Sequence, residues 1–207
     1  MSGSRTGRAG SARRDFAVDR AKAYTRVGAS WQEKLRYLLL NSEFHCVATY
    51  RFGQYAEDLR SRHRLAGTIA VIGHRLANRW LTHVDHADIS HDARIGPGML
   101  LMHRHGILIG PAVIGENCVI HHNVTIGLGV AAGDHGVPRI GDNVWIGPGA
   151  VISGAITIGD GVTISAGTVL SKDVPAGCLV SGNPGRVVAR HYDNSRMSNF
   201  LAPPTEA

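Results

Sequence analysis

Residues 140–170 read IGDNVWIGPGAVISGAITIGDGVTISAGTVL, and one position in six along them is a large aliphatic: Ile140, Ile146, Ile152, Ile158, Ile164 and Leu170. The pattern extends towards the N-terminus. Ile114, Ile120 and Ile126 keep the six-residue spacing, a fourteen-residue step separates Ile126 from Ile140, and Ile89, Ile95, Leu101 and Ile107 form an earlier run, set off by a one-residue slip near Gly110-Pro111. Glycine follows many of these positions, as at Gly96, Gly115, Gly127, Gly141, Gly147 and Gly159. A period of six suits neither an amphipathic helix nor an alternating strand. It is the signature of a β-helix solenoid, in which one repeat cannot bury its own apolar residue and stacking supplies the core. Three such repeats close one triangular coil, and the interior is filled by branched aliphatics. A prism of this kind has no internal cavity, so a ligand binds on an outer face, in a loop that leaves the prism, or between prisms. Interruptions of the period are the places to seek function.

The 207 residues suit one sizeable domain with a smaller appendage, and the 26 glycines are explained by the repeat. Much of the net charge of +6 sits at the start, in Arg5, Arg8, Arg13, Arg14, Arg20, Lys22 and Arg26, which reads as a disordered basic tail over residues 1–29. No aromatic pattern or motif accompanies that charge, so nucleic acid is not an expected partner. Cys46, Cys118 and Cys178 have no spacing suited to zinc or to a disulfide framework, and no signal-peptide pattern is read ahead of the first apolar run. These features place the chain in a reducing cytoplasm. The longest apolar stretch, Leu65 to Leu81, is interrupted by His74, Arg75, Asn78 and Arg79 and is not a membrane span.

Residues 30–83 read as a helical region. Ser30 caps a helix beginning at Trp31, with Glu33 in its first turn. Asn41-Ser42 and Gly53 are the expected breaks, and a second helix runs from about Arg64 to Thr82, with Leu65, Ile69, Ile72, Leu76 and Trp80 on one face. These helices are expected to cover the open end of the prism. The solenoid occupies residues 84–190, with interruptions at Met102-His103-Arg104-His105-Gly106 and over Leu128 to Arg139, and its pattern frays after Leu170. Residues 191–207 carry no repeat and read as a trailing tail.

His103 lies two residues past the inward Leu101 and so projects outward, with Asp88 fifteen residues earlier around the same corner. A carboxylate beside an imidazole fixes its tautomer and stabilises the imidazolium, as a general base requires. His122, nineteen residues after His103, falls one coil further on the same face, and His105, His121 and His135 lie near the interruptions.

The residues Asp88-Ile89, Ala93-Arg94-Ile95-Gly96-Pro97-Gly98, His103 with Gly106-Ile107, Val124-Thr125-Ile126-Gly127, the fourteen-residue step, Ile146-Gly147-Pro148-Gly149-Ala150 and Gly182-Asn183-Pro184-Gly185-Arg186 resemble the serine O-acetyltransferase branch of the hexapeptide acyltransferases. The resemblance implies a left-handed parallel β-helix with an N-terminal helical region. It implies a homotrimer, or a pair of trimers, that takes acetyl-CoA as co-substrate in the cleft between prisms and needs no metal. By the same matching His103 is the general base and Asp88 its partner. The pantetheine arm passes Gly127, Gly147, Pro148 and Ala166, and Lys172 and Arg186 meet the CoA phosphates. His135, His122 and Arg104 are the candidates for holding the acceptor. Two segments depart from the family: Met102 stands where Asp often precedes the histidine, and Gly136-Val137 stand before Pro138 in place of an Arg-His pair. Serine is the expected acceptor, with a sugar hydroxyl, another hydroxy amino acid or a specialised metabolite as alternatives. A metal enzyme of the γ-carbonic-anhydrase type and a non-catalytic trimer are the remote ones.

Overall fold

The computed structural model describes residues 8–24, 30–129 and 136–198. From Asp88 onward the chain winds into a prism with three parallel faces. Face A stacks Asp88–Ile89, Leu108–Ile109, Thr125–Gly127, Val151–Ser153 and Val169–Leu170. Face B stacks Arg94–Ile95, Val113–Ile114, Arg139–Ile140 and Thr157–Ile158. Face C stacks Leu100–Met102, Val119–His121, Trp145–Ile146, Thr163–Ile164 and Cys178–Ser181, and Arg186–Arg190 closes it as an antiparallel strand.

Each face sends one ladder of side chains inward. Ile89, Ile109, Ile126, Ile152 and Leu170 form the ladder of face A; Ile95, Ile114, Ile140 and Ile158 that of face B; Leu101, Ile120, Ile146, Ile164 and Val180 that of face C. All are buried, and each such side chain contributes about 1.5–3 kcal/mol on leaving water. Two details differ from the pattern read in the sequence. The face A residue of the second rung is Ile109 rather than Ile107, because two residues are inserted before it and one is dropped after it, which together make the apparent slip of one. Ile107 is buried too, stacked below Val124 at the corner. Nor does the stack fray after Leu170: Val174 bridges to Ile158 and Val180 pairs with Ile164, so the coil is completed.

Four helices precede the prism: α1 (Arg8–Tyr24), α2 (Trp31–Leu40), α3 (Ser42–Arg62) and α4 (Arg64–Asp85). Ser30 caps α2 in a capping box with Glu33, and Asn41 ends α2 and caps α3. Gly53 does not break α3. Its missing side chain makes room for His74 of α4, whose ring a Cβ there would meet at 2.5 Å.

The basic segment expected to be a loose tail is folded over Arg8–Tyr24, because its acidic residues find buried partners. Asp19, 3% exposed, pairs with Arg51 of α3 at 2.7 Å and accepts from the N–H groups of Gly98 and Met99. Lys22 donates to the carbonyls of Gly98 and Asn117. Arg51 also donates to the carbonyls of Ile95 and Gly96, and Tyr50 donates its hydroxyl to Ala93. Thus α1 and α3 cover the first coil. The stripe of α4 does not take part: Leu65, Ile69, Ile72, Leu76 and Trp80 face outward, 53–79% exposed, while Val71 on another side is buried. The chain beyond residue 190 also departs from the expected trailing tail as far as it is described. Tyr192 donates its N–H to Gly177, buried Asn194 donates to the carbonyl of Asn143, and Ser195–Ser198 form a last helical turn, α5.

Candidate active site

The connection from face C to face A is where the prism leaves its regular form. Ile120 to Ile126, Ile146 to Ile152 and Ile164 to Leu170 each advance six residues, whereas Leu101 to Ile109 advances eight. Backbone pairing locates the surplus. Met102 pairs with His121, and Asn123 donates its N–H to the carbonyl of His105, so His105 occupies the rung position below His122. His103 and Arg104 are therefore the two extra residues, bulged out of the corner.

His103 adopts φ +56°, the left-handed region that few non-glycine residues enter. Such backbone outliers are held by their surroundings and concentrate at functional sites. Its side chain is exposed, and its ring lies edge-on to that of His122, centroids 5.8 Å apart. His122 Nδ1 is buried without a hydrogen-bond partner among the described residues. His121, the next ring along, packs on Trp145 at 4.8 Å. Gly106 completes the turn below Asn123, whose side chain would collide with any Cβ there.

Asp88 opens face A on the far side of the same corner: its N–H bonds to the carbonyl of Ile107, and it pairs with Leu108. No hydrogen bond or ion pair joins Asp88 to His103 among the described residues. Asp88 instead lines a groove of about 500 Å³ between the first rung and α4, with Arg75, Arg79 and His91. Arg104 is half-buried in the bulge. His135 lies outside the described residues. Among the described residues no three His, Cys, Asp or Glu side chains are placed to hold a metal ion.

The six residues matched to acetyl-CoA divide between two corners. Gly147, Pro148 and Ala166 follow face C in successive rungs above His105 and His122, and Arg186 is in the strand that closes that face. Gly127 ends one face A strand and Lys172 follows another, at the corner between faces A and B. A Cβ on Gly127 would meet no atom of the described residues within 4 Å. A residue without any sequence signal also reaches the site: Glu43, in the first turn of α3, accepts from the backbone N–H of His103.

Residues 138–172 match the bacterial transferase hexapeptide (six repeats) family. The crystal structure of the Neisseria gonorrhoeae serine acetyltransferase in complex with serine superposes with a TM-score of 0.68 and 34% identity, over 86% of this chain and 69% of that one. This chain belongs to the serine acetyltransferase family. The Brucella abortus serine acetyltransferase in complex with coenzyme A has a TM-score of 0.69 and 28% identity, over 86% of this chain and 68% of that one. The probable serine acetyltransferase 1 of Oryza sativa subsp. japonica is 41% identical over 111 residues, which are 52% of this chain and 36% of that protein. The chain thus spans little more than a third of that curated relative's length.

Proposed function

We propose that the protein transfers the acetyl group of acetyl-CoA to the hydroxyl of L-serine, with His103 as general base. The observation that carries this reading is the two-residue bulge that puts His103 outside the wall at one corner. The relatives solved with serine and with coenzyme A supply the two substrates by analogy. The neutral imidazole takes the proton of the acceptor hydroxyl as its oxygen attacks the thioester carbonyl. A backbone N–H stabilises the oxyanion, the tetrahedral adduct collapses, and the departing CoA thiolate takes the proton back from the imidazolium. Asp88, flanking the same corner, orients His103 once substrates close the site.

A homotrimer is part of the reading. A single prism presents Gly147, Pro148, Ala166 and Arg186 at one corner and Gly127 and Lys172 at another, so one thioester meets both sets where two copies abut. The uncovered apolar stripe of α4 favours association as well. No helix among the described residues is long and apolar enough to cross a membrane, and the three cysteines are unpaired; we place the protein in the cytoplasm on the second ground.

One observation favours a second acceptor. The segment from Leu128 to Pro138 contains no arginine or lysine, so a serine carboxylate must find its cation at Arg104 or Arg139. The test is thiol release from acetyl-CoA across L-serine, homoserine, other hydroxy amino acids and simple sugars. Release with L-serine supports the first reading. Release only with another acceptor moves the specificity and keeps the chemistry. With the productive acceptor, His103→Ala is expected to lower turnover by roughly 10²–10⁴, and unchanged turnover removes His103 from the mechanism.

A further inference from the structure

We propose that Glu43, whose carboxylate receives the backbone N–H of the bulged His103, is a positioning residue for that histidine. The proposal rests on the acetyl-transfer reading above and adds to it a residue of the helical region. In the rungs above, the left-handed residue of this corner donates its N–H to the carbonyl of the rung beneath: Asn123 to His105 at 2.8 Å, Gly149 to His122 at 3.0 Å and Gly167 to Pro148 at 2.8 Å. His103 stands outside that ladder and in the first coil. The residue in register with them in the first coil is Gly106, φ +69°, so His103 is an additional left-handed residue with no rung beneath it, and its N–H is received at 2.9 Å by Glu43 Oε1. A charge-assisted bond of this kind is stronger than one to a neutral carbonyl.

Glu43 can act as a fixed point because everything behind it is fixed. Its other oxygen receives Asn41 Nδ2 at 3.4 Å, and Asn41 Oδ1 in turn caps α3 through the N–H of Phe44 at 2.7 Å. The same helix is tied to the first coil by Tyr50 and Arg51, both buried. The line from core to Glu43 to His103 holds the bulge in the left-handed conformation and seats its imidazole beside His122. Without the carboxylate, the bulge returns to the conformations an exposed non-glycine residue prefers, and the imidazole leaves its place.

Glu43→Ala is expected to lower kcat for acetyl transfer roughly tenfold to a hundredfold, the scale of a displaced catalytic group, with KM for acetyl-CoA within about twofold. Glu43→Gln keeps an acceptor oxygen for the His103 N–H and is expected to restore kcat to within about threefold of the parent. Both variants, His103→Ala and the parent protein are assayed by thiol release with the productive acceptor, alongside thermal melting. Parental kcat in Glu43→Ala overturns the proposal. So do equal losses in Glu43→Ala and Glu43→Gln, which would assign the effect to charge, and so does a loss in Glu43→Ala that merely tracks lost folded protein. Absence of release by the parent with every acceptor, or full activity of His103→Ala, would sink the catalytic reading itself and is a separate result.

Discussion

Replacing Arg51 by Met tests whether the basic N-terminal segment is held as described. Arg51, 2% exposed, gives its Nε to Asp19 at 2.7 Å and its two terminal nitrogens to the carbonyls of Ile95 and Gly96, each at 2.7 Å. Methionine fills much of the same volume but leaves Asp19, itself 3% exposed, with the N–H groups of Gly98 and Met99 as its hydrogen-bond partners among the described residues. Removing one member of a buried ion pair costs about 3–5 kcal/mol. Burial already pushes the Asp19 carboxyl above its ordinary value, so protonation limits the loss and the lower half of that range is expected. Asp19→Asn keeps an acceptor for both N–H groups, and combining it with Arg51→Met should recover about 0.5–3 kcal/mol as a coupling energy. The assay is urea unfolding at fixed protein concentration, followed by circular dichroism, together with limited trypsin digestion. Cleavage at Arg13, Arg14 and Arg20 of α1 should appear in Arg51→Met and not in the parent. A variant within about 1 kcal/mol of the parent, or a strictly additive cycle, would refute the docking of α1 onto the first coil.

Other expectations follow from the same structure. Ile146→Ala, fully buried in the middle of the face C ladder, should destabilise by about 2–5 kcal/mol in denaturant titrations, whereas Leu108→Ala at 49% exposure should change little; similar effects would contradict the inward and outward assignment. Burial pushes the His74 imidazole below its ordinary value, so the unfolded chain takes up a proton first as pH falls through the histidine range and the fold loses stability there. Thermal melts should fall less steeply below neutral pH in His74→Gln than in the parent, and parallel curves would dismiss that role. Cys46, Cys118 and Cys178 are buried and unpaired, and burial pushes the Cys118 thiol up to about 11. A thiol reagent should therefore label the native protein slowly and reach all three sites only in denaturant; prompt native labelling would contradict their burial.

The sequence was informative wherever one residue type answered to one physical demand. Inward slots accept only branched aliphatics, so the ladders could be read from Ile and Leu alone. The deviation of the Ile107–Ile109 region was legible as a slip but not in its composition, because both residues are isoleucine and both are buried. Composition misled over residues 8–24, where the arginines suggested a solvated tail while the deciding residue was one aspartate. A buried pair such as Asp19 with Arg51, 32 positions apart, leaves no periodic trace. The apolar stripe of α4 is legible from its spacing, but periodicity does not reveal which neighbour, if any, covers it, and the stripe expected to cover the prism faces outward. His103 stood out by its place in an interruption. Glu43 did not, since its function depends on a helix meeting a corner that lies 60 residues further along the chain.

From face B to face C the chain always takes six residues, at Ile95 to Leu101, Ile114 to Ile120, Ile140 to Ile146, Ile158 to Ile164 and Val174 to Val180. Hydrogen bonding between successive strands on each face stacks the rungs at a constant pitch of about 4.8 Å, and the prism is graduated like a ruler. His103 sits at its first mark, and Lys172 and Arg186 near its last, roughly 15–25 Å away by that pitch. On the proposed reading, this distance selects the length of the arm joining a thioester to its phosphates. The number of coils would then be a determinant of which acyl carrier fits, and excising one coil in register would shorten the gauge by a single graduation without altering the chemistry at its origin.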